Sequence, residues 1–203
     1  LSQLSEEGAT QIFMPLSGND LILGAAVRKD NFRADYNVST KSASPFDFKG
    51  TGYDRGHLAP AGDMKINSVA MSESFFMSNI SPQNPSFNRG GWKKLESLVR
   101  MWGRNKVSYI TTAGVLNSNN FNKIGGNQVS VPNLFYKIIY IPSDSKMIAF
   151  LMPNKKIEDS LKSYVVSVDK VEEVTGIDFH YKLEDELENK LESKSDVKDW
   201  DFK

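Results

Sequence analysis

The chain has 203 residues, no cysteine, two histidines and a formal net charge of zero. Without thiols it has no disulfide, no thiolate nucleophile and no Cys-ligated zinc, and His57 with His180 cannot build a multi-histidine metal cage, so any metal must rest on oxygen ligands. The longest apolar run, Leu21 to Val27, is too short to span a bilayer, and 39% hydrophobic with 25% charged residues fits one globular domain over residues 1–203.

Zero net charge argues against a polyanionic partner, but the charge is unevenly spread. Lys and Arg exceed Asp and Glu from Arg28 to Lys106, and the balance reverses from Lys155 to Lys203. Solvated faces that differ in sign account for this as well as a phosphate-docking face does.

In chain order, Leu21 to Arg28 reads as a short buried strand. Ser39 to Gly52 is a polar, Gly- and Pro-punctuated stretch long enough to be a functional loop. Phe75-Phe76-Met77 reads as a buried segment. Trp92, Leu95, Val99 and Trp102 follow helical spacing, and Val107 to Thr112 reads as a strand. Leu134 to Ile141 and Met147 to Met152 are two more strands, and the Pro142–Ser145 turn signal joins them as an antiparallel hairpin. Leu161, Tyr164, Val165 and Val168, running on to Val171 to Val174, predict a further helix. Leu183, Leu187 and Leu191 predict an acidic surface helix with one apolar stripe. Strands and helices mix without strict alternation, so the expected class is α+β.

Two stretches carry chemistry. In Gly50-Thr51-Gly52-Tyr53-Asp54-Arg55-Gly56-His57, an extended backbone points Arg55 and His57 to one face, joining a fixed cation to a group that titrates near neutrality. Hydrolysis of a phosphodiester needs both: imidazole deprotonates water and guanidinium neutralises phosphoryl oxygens. A lone histidine is more often structural, and the arginine two positions away shifts those odds. In Ser78 to Glu96, Asn88 lies near the start of the Trp92 helix and Glu96 lies two turns further on. An amide oxygen with a nearby carboxylate makes a sparse site of the kind Mg²⁺ tolerates. Turn formers and a helix cap explain much of the same stretch.

The strings DRGHLAPAGD and SNISPQNPSFNRGGWKKLE closely resemble the signature of the DNA/RNA non-specific endonucleases, the ββα-metal family that includes mitochondrial endonuclease G and secreted bacterial nucleases. The likeness runs from about Leu21 to Phe179, leaving residues 182–203 as an acidic helix and tail. It implies a ββα-metal fold on a central, mainly antiparallel sheet flanked by helices. It also implies cleavage of DNA and RNA without sequence preference, giving 5′-phosphate and 3′-hydroxyl ends.

Residue by residue, the resemblance makes His57 the general base and Asn88 the direct ligand of Mg²⁺, for which Mn²⁺ or another divalent ion substitutes. Glu96 then acts on the metal through water, Asn79 positions His57 or a site water, Arg55 contacts phosphate, and Asp54 holds the motif or a metal water. An upstream arginine at the scissile phosphate is Arg28 or Arg33, with Arg28 favoured. The resemblance also implies an exported bacterial protein whose leader is absent from a chain beginning at Leu1, and a homodimer. A catalytically silent nucleic-acid-binding member of the same fold is the alternative, and a toxin domain held by an inhibitor protein is a third reading. His180 and the tryptophans Trp92 and Trp102 are expected to be structural.

Overall fold

The computed structural model of the chain describes residues 26–117 and 121–203. The strand expected from Leu21 lies largely outside them, and its last three residues, Ala26 to Arg28, are irregular.

The motif region forms a two-stranded antiparallel ribbon, β1 (Asp54–His57) with β2 (Ile80–Gln83), paired from Asp54↔Gln83 to His57↔Ile80. Between them lie a short helix α1 (Ser68–Glu73), capped by the Asn67 side chain, and a 3₁₀ turn. After β2 the chain makes a π-helical turn, Phe87–Trp92, and continues as α2 (Lys93–Trp102). Helical spacing therefore locates α2 correctly. The wider turn ahead of it, with Gly90 outside helical geometry, leaves no periodicity to read.

The central sheet follows. It comprises β3 (Tyr109–Gly114) and, after a small hairpin of β4 (Lys123–Ile124) and β5 (Val129–Ser130), β6 (Leu134–Ile141), β7 (Lys146–Pro153) and β8 (Val165–Val166). Its order is β3-β6-β7-β8 with every pairing antiparallel, so the α+β expectation stands. The β6–β7 hairpin turns through Pro142–Asp144, with Ser145 in the left-handed region at φ 49°.

Leu161 to Val174 is not one helix. Leu161–Tyr164 is a 3₁₀ turn, β8 pairs with Ala149 and Phe150 at the edge of β7, and α3 (Val168–Thr175) starts only after Ser167, whose side chain accepts from Lys170 N. The β-branched pair Val165-Val166 meets an open sheet edge, and sheet pairing there overrides the helical spacing. The acidic helix α4 (Asp185–Glu192) forms as expected.

β6 is buried on both faces. Phe135, Ile139 and Ile141 pack with Trp92, Leu95, Val99 and Trp102 under α2. Tyr136, Ile138 and Tyr140 pack on the opposite side with Val168, Val171, Phe179 and Leu191, under α3 and α4. Lys137 falls on the α2 side of this alternation and is 1% exposed. It thereby delivers a charged group to the inside of the ββα unit.

The acidic tail returns to α2. Trp200 packs edge-on against Trp102 at 4.8 Å, Phe202 does so at 5.3 Å, and Trp102 Nε1 donates to the Asp201 carbonyl at 2.6 Å. Truncation after Lys198 is expected to cost about 2 kcal/mol of stability from the lost burial of Trp200. A thermal melt should show the midpoint falling by several degrees; an unchanged midpoint would show the tail to be a passive appendage.

Candidate active site

On β1, alternation sends Arg55 and His57 to one side. The Arg55 guanidinium sits 4.2 Å over the Phe32 ring, and the His57 ring lies 5.6 Å from Phe32 and 4.8 Å edge-on from Phe75. Gly56 between them faces the fully buried Gln83, where a Cβ would come within 2.2 Å of Gln83 side-chain atoms. Only glycine lets the ribbon close at that point.

Asn79 lies behind this strand. Its Oδ1 accepts from Ala59 N at 2.9 Å, and its Nδ2 donates to the carbonyls of Ala59 and Ser74, both at 2.9 Å. Leu58 N in turn donates to the Asn79 carbonyl at 3.0 Å. The side chain is thus spent on backbone, and Asn79 fixes the segment after His57 without touching the imidazole.

Burial between the aromatic rings is the largest influence on His57. The Arg28 charge adds to it and Asp30 opposes it, and together they push the imidazole down to about 4. Its Nε2 is buried with no hydrogen-bond partner among the described residues. At neutral pH the ring is uncharged, the state a proton acceptor requires.

Asn88 is carried on the π-helical turn, with its N–H bonded to the Asn84 carbonyl. Its Nδ2 donates to Asp54 Oδ2 at 2.9 Å, and Arg89 grips the same carboxylate through Nε at 2.7 Å and Nη2 at 2.6 Å. Burial pushes Asp54 up, but the hydrogen bonds from Arg89 and Asn88 prevail and hold it below the usual carboxylate range. An ionised carboxylate only accepts, so it fixes which end of the Asn88 amide faces it. The amide oxygen is left with no donor among the described residues.

Glu96 lies along α2 from Asn88 and lines the same cleft as Arg28, Arg55, His57 and Asp54. Burial drives its carboxyl up to about 7, opposed by Lys137, reinforced by Asp63, and opposed again by Arg100 and Arg28. Lys137 donates to Thr112 Oγ1 at 2.6 Å and sits 4.9 Å from the Trp92 ring; its burial brings the ammonium down to about 8. Arg100 Nη1 pairs with Asp63 Oδ1 at 2.7 Å. Sequence reasoning passed over Lys137 and Asp63. The one lysine inside LFYKIIYI was the available signal, because a charge in an otherwise apolar strand is buried only when other charges meet it.

Of the two upstream arginines, Arg28 lines the cleft, with Nε bonded to Asp30 at 2.7 Å and the guanidinium 5.3 Å from the Phe75 ring. Arg33 is committed elsewhere, donating to the Ser72 carbonyl at 2.8 Å and stacking 3.9 Å over Phe76. His180 lines a separate aromatic groove and pairs through Nδ1 with Glu192 Oε1 at 2.9 Å, a partner twelve residues on that the sequence did not suggest. Asp169, Glu172 and Glu192 also come together outside the cleft.

A metal fits the cleft on its donor chemistry. An unpartnered amide oxygen, with a carboxylate on the following helix and arginines around it, is an oxygen-only set suited to a hard divalent ion that keeps most of its waters.

A ββα unit presenting histidine, asparagine and arginines to one cleft defines a nuclease of the ββα-metal class. The chain belongs to the DNA/RNA non-specific endonuclease family, whose model matches residues 17–186. It is 32% identical over 193 residues to a nuclease of Nostoc sp., covering 88% of this chain and 69% of that protein. It is 34% identical to nuclease C1 of Cunninghamella echinulata, covering 83% and 74%. Human mitochondrial endonuclease G is 29% identical over 168 residues, covering 75% of this chain and 57% of that one. Among solved structures, an EndoG/EndoGI complex concerned with EndoG inhibition superposes with a TM-score of 0.78 at 28% identity, covering 86% of this chain and 79% of that one. The chain is a nuclease acting on nucleic acid without sequence preference, in a family that implies a divalent metal.

The His57 shift has a consequence for stability. Its ordinary value of 6.5 falls to about 4 on folding, so the unfolded chain takes up a proton first as pH drops. The contribution is therefore present above pH 6.5 and is lost between 6.5 and 4. Thermal midpoints measured across this window should fall less steeply for His57→Asn than for the wild type. Parallel curves would mean that the imidazole is not held neutral by its surroundings.

Proposed function

We propose that the cleft hydrolyses phosphodiester bonds of DNA and RNA with His57 as general base, a divalent ion (Mg²⁺ first, with Mn²⁺ or another substituting) held by Asn88 Oδ1, and 5′-phosphate and 3′-hydroxyl products. The observation that carries this reading is the pairing of a neutral, aromatic-caged imidazole with an amide oxygen freed by Asp54 in the same cleft.

His57 accepts a proton from the attacking water as the hydroxide moves in line onto phosphorus. An incoming phosphate carries negative charge, which favours the protonated imidazole and raises its basicity toward the working pH. Arg28 and Arg55 neutralise the non-bridging oxygens, where charge accumulates in the transition state. Asn88 Oδ1 would hold a divalent cation, which would supply Lewis-acid stabilisation of the charge that develops on the phosphoryl group. Glu96 lines the same cleft, where its carboxylate would accept hydrogen bonds from water. Asp54 keeps the Asn88 amide turned, and Asn79 keeps the strand after His57 in place. None of these groups reads a base edge, which is why the site grips any sequence.

The family likeness supports a homodimer and export from a bacterial cell as parts of the same reading; among the described residues no helix is long and apolar enough to cross a membrane. The EndoG/EndoGI complex supports a protein inhibitor as a partner.

Plasmid DNA and ribosomal RNA incubated with the protein and Mg²⁺ should be degraded, and a chelator should stop the reaction. His57→Ala should lose at least about a hundredfold in kcat while still retarding DNA in a gel. Asn88→Ala should instead raise the Mg²⁺ concentration needed for half-maximal rate. Substrates left intact with every divalent ion tried would exclude the reading, and a fully active His57→Ala would remove the histidine from it.

A further inference from the structure

Next to the cleft lies a second groove, lined by Pro45, Phe46, Phe48, Lys49, Tyr53 and Arg55, of which the proposed reaction uses only Arg55. It adjoins the cleft, since Asp54 and Arg55 line both. Its volume of about 410 Å³ lies within the range of small-ligand sites.

Phe46 is 82% exposed, although its neighbours Asp47 and Phe48 are 3% and 6% exposed. The turn that displays it is braced. Ser44 and Asp47 form a reciprocal capping box around the 3₁₀ helix Pro45–Phe48, with Ser44 N bonded to Asp47 Oδ2 at 2.7 Å. Asp47 is held in turn by Asn127, which donates from its backbone N at 2.9 Å and from Nδ2 at 2.7 Å. Gly125 packs so closely on Asp47 that a Cβ there would come within 2.3 Å of it. The ring is thus presented on a fixed base, and among the described residues no other aromatic ring pairs with it.

The charges around the ring are positive. Lys49 forms no ion pair among the described residues, and neither does Arg55, whose guanidinium lies over the Phe32 ring. Asp54, the groove's one acid, is already neutralised by the bidentate Arg89. An exposed aromatic face flanked by free cations is the arrangement that holds single-stranded nucleic acid: the base stacks and the backbone tracks the charge.

We propose that this groove seats a nucleobase of the substrate strand on Phe46, with an adjoining phosphate at Lys49, next to the phosphate that Arg55 meets in the cleft. The proposal rests on the cleft being the site of phosphodiester cleavage. It gives the enzyme a hold on unpaired bases that is indifferent to sequence, since every base has a stacking face.

The test uses full-length protein in a His57→Ala background, which keeps strands uncut. Fluorescence anisotropy at fixed salt compares a labelled oligothymidylate with a strand of equal length that is abasic throughout. Phe46→Ala should weaken oligothymidylate binding about fivefold or more, the lower end of stacking on one aromatic. It should change binding of the abasic strand by less than about twofold, and Phe46→Trp should restore oligothymidylate affinity. An unchanged thermal midpoint would confirm that the exposed substitution leaves the fold intact.

Unchanged oligothymidylate affinity in Phe46→Ala, or equal loss on both strands, overturns the proposal. So does a fall in sedimentation mass caused by Phe46→Ala, which would assign the ring to an interface between copies. Wild-type protein with Mg²⁺ separates the two readings on the same oligothymidylate: cleavage with Phe46-independent affinity defeats stacking alone, whereas no cleavage defeats the nuclease assignment itself.

Discussion

The carboxylate of Asp54 is the joint on which the site depends. It stands on the strand that carries Arg55 and His57 and accepts from Asn88 and Arg89, 34 and 35 residues later in the chain. That one group fixes the angle between the ribbon and the turn leading into α2, and it orients the Asn88 amide so that the oxygen is free. The bidentate Arg89 contact matters here more than an isolated surface pair would, because the geometry is planar and Asp54 is only 15% exposed. The His57 imidazole and the Asn88 amide oxygen, which we propose as base and metal ligand, therefore keep a fixed relation.

Around this joint, burial acts on two groups in opposite senses. Apolar rings make His57 harder to protonate, while the protein interior makes Glu96 harder to ionise. At neutral pH His57 is uncharged and Glu96 is only partly ionised, while the other acids lining the cleft, Asp54 and Asp30, are paired with Arg89 and Arg28. Lys137, Asp63 and Arg100 lie behind it. Their ionic contacts offset the cost of burying charges beneath α2, and breaking one would leave another uncompensated.

Where one physical rule acts alone, the sequence is readable. β6 and β7 follow from β-branched and aromatic runs around a proline turn, and α2 follows from four apolar residues at helical spacing. Gly56, Arg55 and His57 sit as strand alternation requires. Elsewhere two rules compete. Val165 fits a helical stripe and, with Val166, a sheet edge, and the open edge of β7 decided between them. Asn79 reads as a site residue because it lies in a motif, and its amide bonds the backbone of Ala59 and Ser74, contacts that only the fold reveals. The His180–Glu192 pair and the Lys137–Thr112 contact depend on tertiary approach, for which local periodicity carries no signal. Phe46 stands out only once its buried neighbours and its position beside the cleft are known.

In the proposed mechanism one divalent ion sits beside Asn88 Oδ1, in the cleft shared by His57 and Glu96. A crystal soaked in Mn²⁺ and measured at the manganese absorption edge tests it directly. An anomalous peak next to Asn88 Oδ1, absent in crystals of Asp54→Ala, is the expected result. A peak confined to Asp169, Glu172 and Glu192, with none in the cleft, would contradict the account.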